Sequence, residues 1–136
     1  MTDLDLRLTH KKDYEELVTW WKWFRFEPPA IDLLPNNMKD GIMITLGDQN
    51  ICAGFVYRTT SGFCWVEFIV SNPLIKDRKV RKDALTLLID SLSVFAKKTG
   101  AKVIYTSLKN ESLINHYKSC GYVLGSKGCQ EMIKIL

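Results

Sequence analysis

No apolar run in this 136-residue chain approaches the ~20 residues that cross a bilayer as a helix. The first residues carry no secretory pattern, because Asp3, Asp5 and Arg7 interrupt the apolar positions. These absences lead us to expect a soluble, cytoplasmic protein without a membrane partner. Metal-ligating residues are sparse. His10 and His116 stand apart, and Cys52, Cys64, Cys120 and Cys129 show no C-x-x-C spacing. Structural zinc ligands come in pairs at short fixed spacings, so no metal site is expected. Cys52 and Cys64 fall inside apolar strands and read as small buried hydrophobes, and nothing secretory accompanies the four thiols to favour disulfides. There is also no internal repeat and no low-complexity segment.

What is present fits one domain spanning residues 1–136, a size that buries about two-thirds of its unfolded surface. The hydrophobic fraction of 46% and charged fraction of 25% exclude disorder as the default state. The net charge of +4 is modest and locally concentrated, since five of the seven residues from Lys76 to Lys82 are Lys or Arg. A local anionic ligand explains that cluster better than a nucleic acid does, because no aromatic residue is interleaved there to stack a base.

The stretch from Phe63 to Gly100 organises the chain. Phe63 to Val70 is apolar on both faces except at Glu67, which suits the interior of a sheet. The basic cluster follows, and then a helix is predicted to begin near Asp83 as N-cap. Its apolar positions Leu85, Leu88, Ile89, Leu92 and Phe95 recur at helical spacing, and Gly100 fits the left-handed residue past its end. Cationic side chains beside a helix N-terminus form the layout of a phosphate-binding corner.

The remaining elements surround this unit. Leu4 to Leu8 alternates as a short strand, and Lys11 to Phe26 reads as a helix with Tyr14, Leu17, Trp20, Trp21 and Phe24 on one stripe. Trp20, Trp21 and Trp23 exceed one stripe, so Trp21 or Trp23 is expected to be partly exposed beside a pocket; core plus helix rim is the alternative. Pro28, Pro29 and Pro35 stiffen the segment PPAIDLLP, which can wall that pocket. Gly41 to Leu46 and Asn50 to Thr59 read as a hairpin leading into the Phe63 strand. Lys102 to Leu108 reads as a strand, Ser112 to Ser119 as a short helix, and 122–124 and 131–136 as final strands. The order β-α-β-β-β-α-β-α-β-β gives an α/β fold with a mixed central sheet and helices on both faces.

That order, with two local patterns, resembles the GNAT family of acyl-CoA-dependent N-acyltransferases. In LKNESLINHYKSCGY, residues 108–122, Asn110, Tyr117, Gly121 and Tyr122 match the family's strand-end Asn, short helix, Tyr and Gly-aromatic sequence. The family's pyrophosphate loop, Q/R-x-x-G-x-G/A, aligns with Lys79, Lys82 and Ala84. Ala84 conforms, Lys79 preserves charge and Lys82 replaces a glycine; a frame starting at Arg78 puts Arg81 and Asp83 in the glycine positions. Basic side chains can compensate through charge-assisted bonds to phosphate. The two adjacent tryptophans near the N-terminus and the E-F-I-V-S-N-P strand are similar to GNAT-like proteins of bacteriophages and their hosts, which would place the chain in a host cytoplasm.

The resemblance implies transfer of an acetyl group from acetyl-CoA, as co-substrate, to a primary amine. Glu67 is then the candidate base, an ionisable group in an apolar strand where desolvation raises its pKa; pairing with Arg58 or Arg25 is the alternative. Tyr117 matches the family's general acid, with a structural phenol as the alternative. Backbone amides at Ile69, Val70 and Ser71 would hold the thioester carbonyl and pantetheine. Arg78, Lys79, Arg81, Lys82, Asp83 and Ala84 would surround the phosphates. Asn110 would bond the pantetheine arm or cap the following helix. Ser107 has no His or Asp accompanying it and is not expected to be a nucleophile. The competing reading is a GNAT-like protein with weakened or lost cofactor binding, acting as a binding or virion-associated structural protein.

Overall fold

The computed structural model describes residues 3–136. Its strands are β1 (Asp5–Leu8), β2 (Gly41–Leu46), β3 (Gln49–Tyr57), β4 (Phe63–Ser71) and β5 (Val103–Tyr105). The helices are α1 (Tyr14–Trp23), α2 (Arg78–Lys98) and α3 (Glu111–Ser119), with short 3-10 turns at Lys11–Asp13, Ile31–Leu33 and Pro35–Met38. The five strands form one sheet in sequence order. β1 to β4 pair antiparallel, while β5, reached across α2, pairs parallel with β4. This is a mixed α/β sheet. Among the described residues, no helix is long and apolar enough to cross a membrane.

Alternation along the strands builds two cores. Ile42, Ile44, Cys52, Val56, Cys64 and Val66 meet Ala84, Leu88, Leu92 and Ala96 of α2 on one face. Met43, Ala53, Phe55 and Val70 meet Leu17, Trp20 and Trp21 of α1 on the other. Gly54 lets α2 approach closely, because a Cβ there would lie 2.8 Å from Ile69 Cγ1 and 3.0 Å from Leu92 Cδ1. Burial pushes the Cys52 thiol up to about 12, which makes it an inert core residue.

Short polar links fix the entries to the helices. Arg7 on β1 grips Asp13 with two 2.9 Å hydrogen bonds. Asp13 also accepts from the His10 amide at 2.8 Å, as one half of a capping box that starts the helical segment. Asn72 holds the turn after β4: its side chain donates to the Asn50 carbonyl at 2.9 Å and accepts from the Leu74 amide at 3.0 Å.

Two expectations are corrected. Helix α2 begins at Arg78, not near Asp83, because Asp77 is the N-cap and accepts from the amides of Lys79 and Val80. Asp83 lies within the helix and pairs with Lys79 at 2.9 Å, so the basic cluster is largely the first turns of α2 rather than a loop before it. Residues 122–124 and 131–136 form no strand despite their apolar pattern. A strand exists only where a ladder partner satisfies its backbone, and these segments have none in the sheet. Gly100 takes the expected left-handed conformation, with φ at 98°.

Candidate active site

The site is made by an irregularity in β4. Ala53 pairs with Val70 and Phe55 with Glu67, so Gly54 alone on β3 faces both Phe68 and Ile69 on β4. Phe68 adopts φ of 60°, a left-handed backbone rare for an aromatic residue. This is a β-bulge, and it breaks the alternation of side chains. Phe68 packs with the α1-side core and Ile69 with the α2-side core. Consecutive residues Glu67 and Phe68 therefore line the same pocket.

That pocket, about 310 Å³, is walled by Leu33, Tyr57, Trp65, Glu67 and Phe68. The Pro-rich segment supplies Leu33, whose carbonyl accepts from the Tyr57 hydroxyl at 2.7 Å. Leu33 falls in the PPAIDLLP segment expected to wall a pocket, whereas Tyr57, Trp65 and Phe68 escaped the sequence reading. Strand alternation could have placed Tyr57 and Trp65 on one face, but the bulge that adds Phe68 leaves no clear sequence signal.

The same region opens the sheet. The β4–β5 ladder covers Phe63–Val103, Cys64–Ile104 and Trp65–Tyr105 and goes no further. Beyond it the strands touch through side chains: Thr106 Oγ1 donates to the Val66 carbonyl at 2.6 Å, and the Ser107 amide donates to Glu67 Oε1 at 3.1 Å. The backbone from Glu67 to Ser71 thus has no strand partner on its β5 side. Ile69, Val70 and Ser71 lie along this opened edge.

Burial raises the pKa of Glu67 above the usual carboxylate value, opposed by the Ser107 amide and reinforced by the charge of Glu131. Glu67 forms no ion pair among the described residues. Arg58 instead binds Asp40 at 2.9 Å. Tyr117, on α3, is 2% exposed, and its hydroxyl has no hydrogen-bond partner of good geometry. Burial first, then the neighbouring Tyr122 phenol, pushes its pKa up, with Thr106 opposing and Glu67 adding to the rise. The two candidate catalytic groups therefore feel each other's charge, and the phenol stays protonated at neutral pH.

The basic helix start is partly committed elsewhere. Asp77 occupies the Lys79 and Val80 amides, and Arg81 Nη1 donates to the carbonyls of Ile75 at 2.9 Å and Asn72 at 3.2 Å. Arg78, Lys79 and Lys82 are exposed, whereas Ala84 is fully buried beneath the helix. Asn110 caps α3, its Oδ1 accepting from the Leu113 amide at 2.9 Å. Trp21 is buried and touches the pocket only through Phe68, with ring centroids 6.2 Å apart. Trp23 is 61% exposed and lies against the turn after β4, with Lys76 Nζ 5.9 Å from its ring. The exposed indole thus lines a separate pocket of about 280 Å³ with Trp20, Asn72, Pro73 and Leu74, while Trp65 lines the Glu67 pocket.

No protein-family model and no curated protein sequence matches this chain. Solved structures do. Wild-type TTHA1254 from Thermus thermophilus superposes with a TM-score of 0.68 at 14% identity over 97% of both chains. N-acetylglutamate synthase from Neisseria gonorrhoeae, complexed with coenzyme A and L-arginine, gives 0.69 at 12% identity over 96% of this chain and 30% of that one. AAC(6')-Iy with a CoA bisubstrate analogue gives 0.66 at 14% identity over 98% of this chain and all of the other. The fold is that of the GNAT acetyltransferases.

Proposed function

We propose that this protein transfers an acetyl group from acetyl-CoA to a primary amine. The observation that carries the reading is the β4 bulge at Phe68, which brings a half-buried carboxylate to a pocket beside an opened strand edge. Coenzyme A in the structures of similar fold supports an acyl-CoA donor. The Tyr117 hydroxyl is buried without a good partner, and it meets such a donor once the side chains that cover it move aside.

The thioester supplies an activated acyl carbon and a thiolate leaving group. Glu67, with its raised pKa, takes a proton from the ammonium, so that the neutral amine can form the N–C bond. Backbone amides among Ile69, Val70 and Ser71 stabilise the charge that develops on the carbonyl oxygen. As the C–S bond breaks, Tyr117 gives its proton to the sulfur, and the second proton leaving the acylated nitrogen restores the phenol, so that amide, free thiol and protonated Glu67 result. Exposed Arg78, Lys79 and Lys82 would face the phosphates, with Arg81 bracing the turn and Asp83 orienting Lys79. Asn110 keeps its amide NH₂ for the pantetheine arm while its oxygen caps α3.

One observation favours a second reading, a GNAT fold that binds partners with weakened cofactor affinity: Asp77 occupies the helix-start amides that a phosphate would use. Calorimetric titration with acetyl-CoA separates the two. Binding with micromolar affinity supports the transferase, and no heat at millimolar acetyl-CoA overturns it.

A further inference from the structure

Beyond the pocket, the α1-side face of the sheet continues as an aromatic floor that α1 does not cover. Phe63, Trp65 and Tyr105 are in ring contact, with centroids 5.9 Å apart for Phe63–Trp65, 4.4 Å for Phe63–Tyr105 and 5.7 Å for Trp65–Tyr105. Trp65 is 37% and Tyr105 52% exposed. Tyr57 and Phe68, centroids 6.3 Å apart, extend the floor to Glu67. A folded domain rarely leaves so many rings on one surface without using them.

The charge at the end of this floor has one sign. Among the described residues, Glu67 is the charged group in the pocket lining, and Glu131 adds a second negative field. The Tyr57 hydroxyl is already spent on the Leu33 carbonyl. A ligand therefore meets a carboxylate, ring faces and almost no further hydrogen-bonding group.

We propose that the acceptor is a compact amine with an aromatic or apolar body, lying on Trp65 and its neighbouring rings with its ammonium directed at Glu67. The proposal deepens the transferase reading and rests on it for the acetyl-transfer step. An ammonium gains from ring faces as well as from the carboxylate, and a flat body gains from offset stacking. An aminosugar would bury hydroxyls without partners, and an amino acid would bring its own carboxylate toward Glu67 and Glu131. The pocket, about 310 Å³, is within the about 300–1,000 Å³ range of small-molecule sites.

The test uses the full chain, with thiol release from acetyl-CoA measured for phenethylamine, glucosamine and glutamate. Phenethylamine should exceed the other two in kcat/KM by roughly a hundredfold, the effect of two or so unpaired polar groups. Trp65→Ala should lower kcat/KM for phenethylamine roughly tenfold and leave the Kd for CoA unchanged. Binding of phenethylammonium is followed separately by calorimetry. If it binds, and binds more weakly to Trp65→Ala, while no amine is acetylated, the acceptor class stands and the transferase reading falls. If glucosamine or glutamate is acetylated as well as phenethylamine, or if phenethylammonium fails to bind, or if Trp65→Ala changes nothing, the proposed acceptor class is overturned.

Discussion

Glu67 accepts a hydrogen bond from the Ser107 amide at 3.1 Å, at the point where β4 and β5 cease to pair. One carboxylate oxygen is thereby fixed by the opposite strand, which orients the group toward the pocket. The bond favours the charged form, but burial and Glu131 outweigh it, so the carboxyl titrates above its ordinary 4.5. A base acts only when deprotonated, so kcat/KM should rise with pH through this raised value. Glu67→Gln should reduce kcat by about 10²- to 10⁴-fold and erase that acidic limb. Glu131→Gln removes a like charge and should move the limb to lower pH with the plateau kept. A rate profile in overlapping buffers checks both.

Tyr117 offers a separation of catalysis from stability. Its hydroxyl is buried without a good partner, so removing it leaves no orphaned group behind. Tyr117→Phe should change stability by less than about 1 kcal/mol, or raise it slightly. A general-acid role requires kcat to fall by roughly 10²-fold or more in the same variant. Urea unfolding and steady-state rates, measured side by side, give the comparison. Loss of stability with full turnover would make the phenol structural.

The Arg7–Asp13 pair ties β1 to the segment that starts α1, with the Asp13 carboxylate only 10% exposed. Burial alone would raise the Asp13 pKa, yet the Arg7 hydrogen bonds and the His10 amide outweigh it and hold the carboxyl below its ordinary 3.8. A depressed carboxylate contributes stability that is complete above the unfolded value and disappears as pH falls through the folded one. Asp13→Asn should therefore cost about 1 to 3 kcal/mol at neutral pH. The gap from the unsubstituted protein should close as pH falls from the ordinary 3.8 through the lowered folded value, measured by denaturant unfolding at each pH.

Periodicity makes most of the architecture legible. The stripe through Leu88, Ile89 and Leu92 marks α2, and the apolar run in Gly41 to Leu46 marks β2, because each pattern reports surface that must be buried. The start of α2 is ambiguous in sequence since both Asp77 and Asp83 are chemically able to cap, and the choice is made by the turn that Asn72 and Arg81 hold together. The pocket is less legible still. Glu67 stands out as a charge in an apolar strand, but its aromatic neighbours are gathered by the bulge at Phe68, a backbone event that no residue type there announces. The strand pattern of 131–136 misleads because an apolar alternation specifies a face and not a ladder partner.

α3 docks on α2 through Thr86 Oγ1 and His116 Nε2, 2.9 Å apart. Burial, then the nearby Lys82 charge, lowers the His116 pKa below 6.5, with the Lys82 carbonyl opposing. A histidine with a depressed pKa binds protons better when unfolded or undocked, so stability is retained above about 6.5 and falls as pH drops toward the folded value. Because Tyr117 is on the same helix, acidification should loosen the candidate general acid as well. Amide hydrogen exchange of 111–119 should accelerate between pH 7 and 5 after correction for intrinsic rates. In His116→Gln that extra acceleration should be absent.

The first turns of α2 combine an internal anion with exposed cations, and the balance between them sets the affinity for CoA phosphates. Asp77 presents its carboxylate to the Lys79 and Val80 amides, where it both satisfies the helix start and repels a phosphate. Lys79 and Lys82 project from the same turns and attract one. Charge near a helix terminus is worth about 0.3 to 1 kcal/mol per group, or roughly two- to fivefold in affinity. Asp77→Gly keeps an acceptable N-cap at a cost of a few tenths of a kcal/mol, and it should tighten CoA binding by about that factor. Lys79→Glu with Lys82→Glu should weaken binding by the square of it or more, and should flatten its dependence on salt, because fewer cations remain to be screened. Calorimetric titrations of CoA at two ionic strengths distinguish these outcomes. Unchanged affinity in both the Asp77 variant and the double lysine variant would remove the phosphates from the start of α2, while leaving the Glu67 pocket and its chemistry untouched.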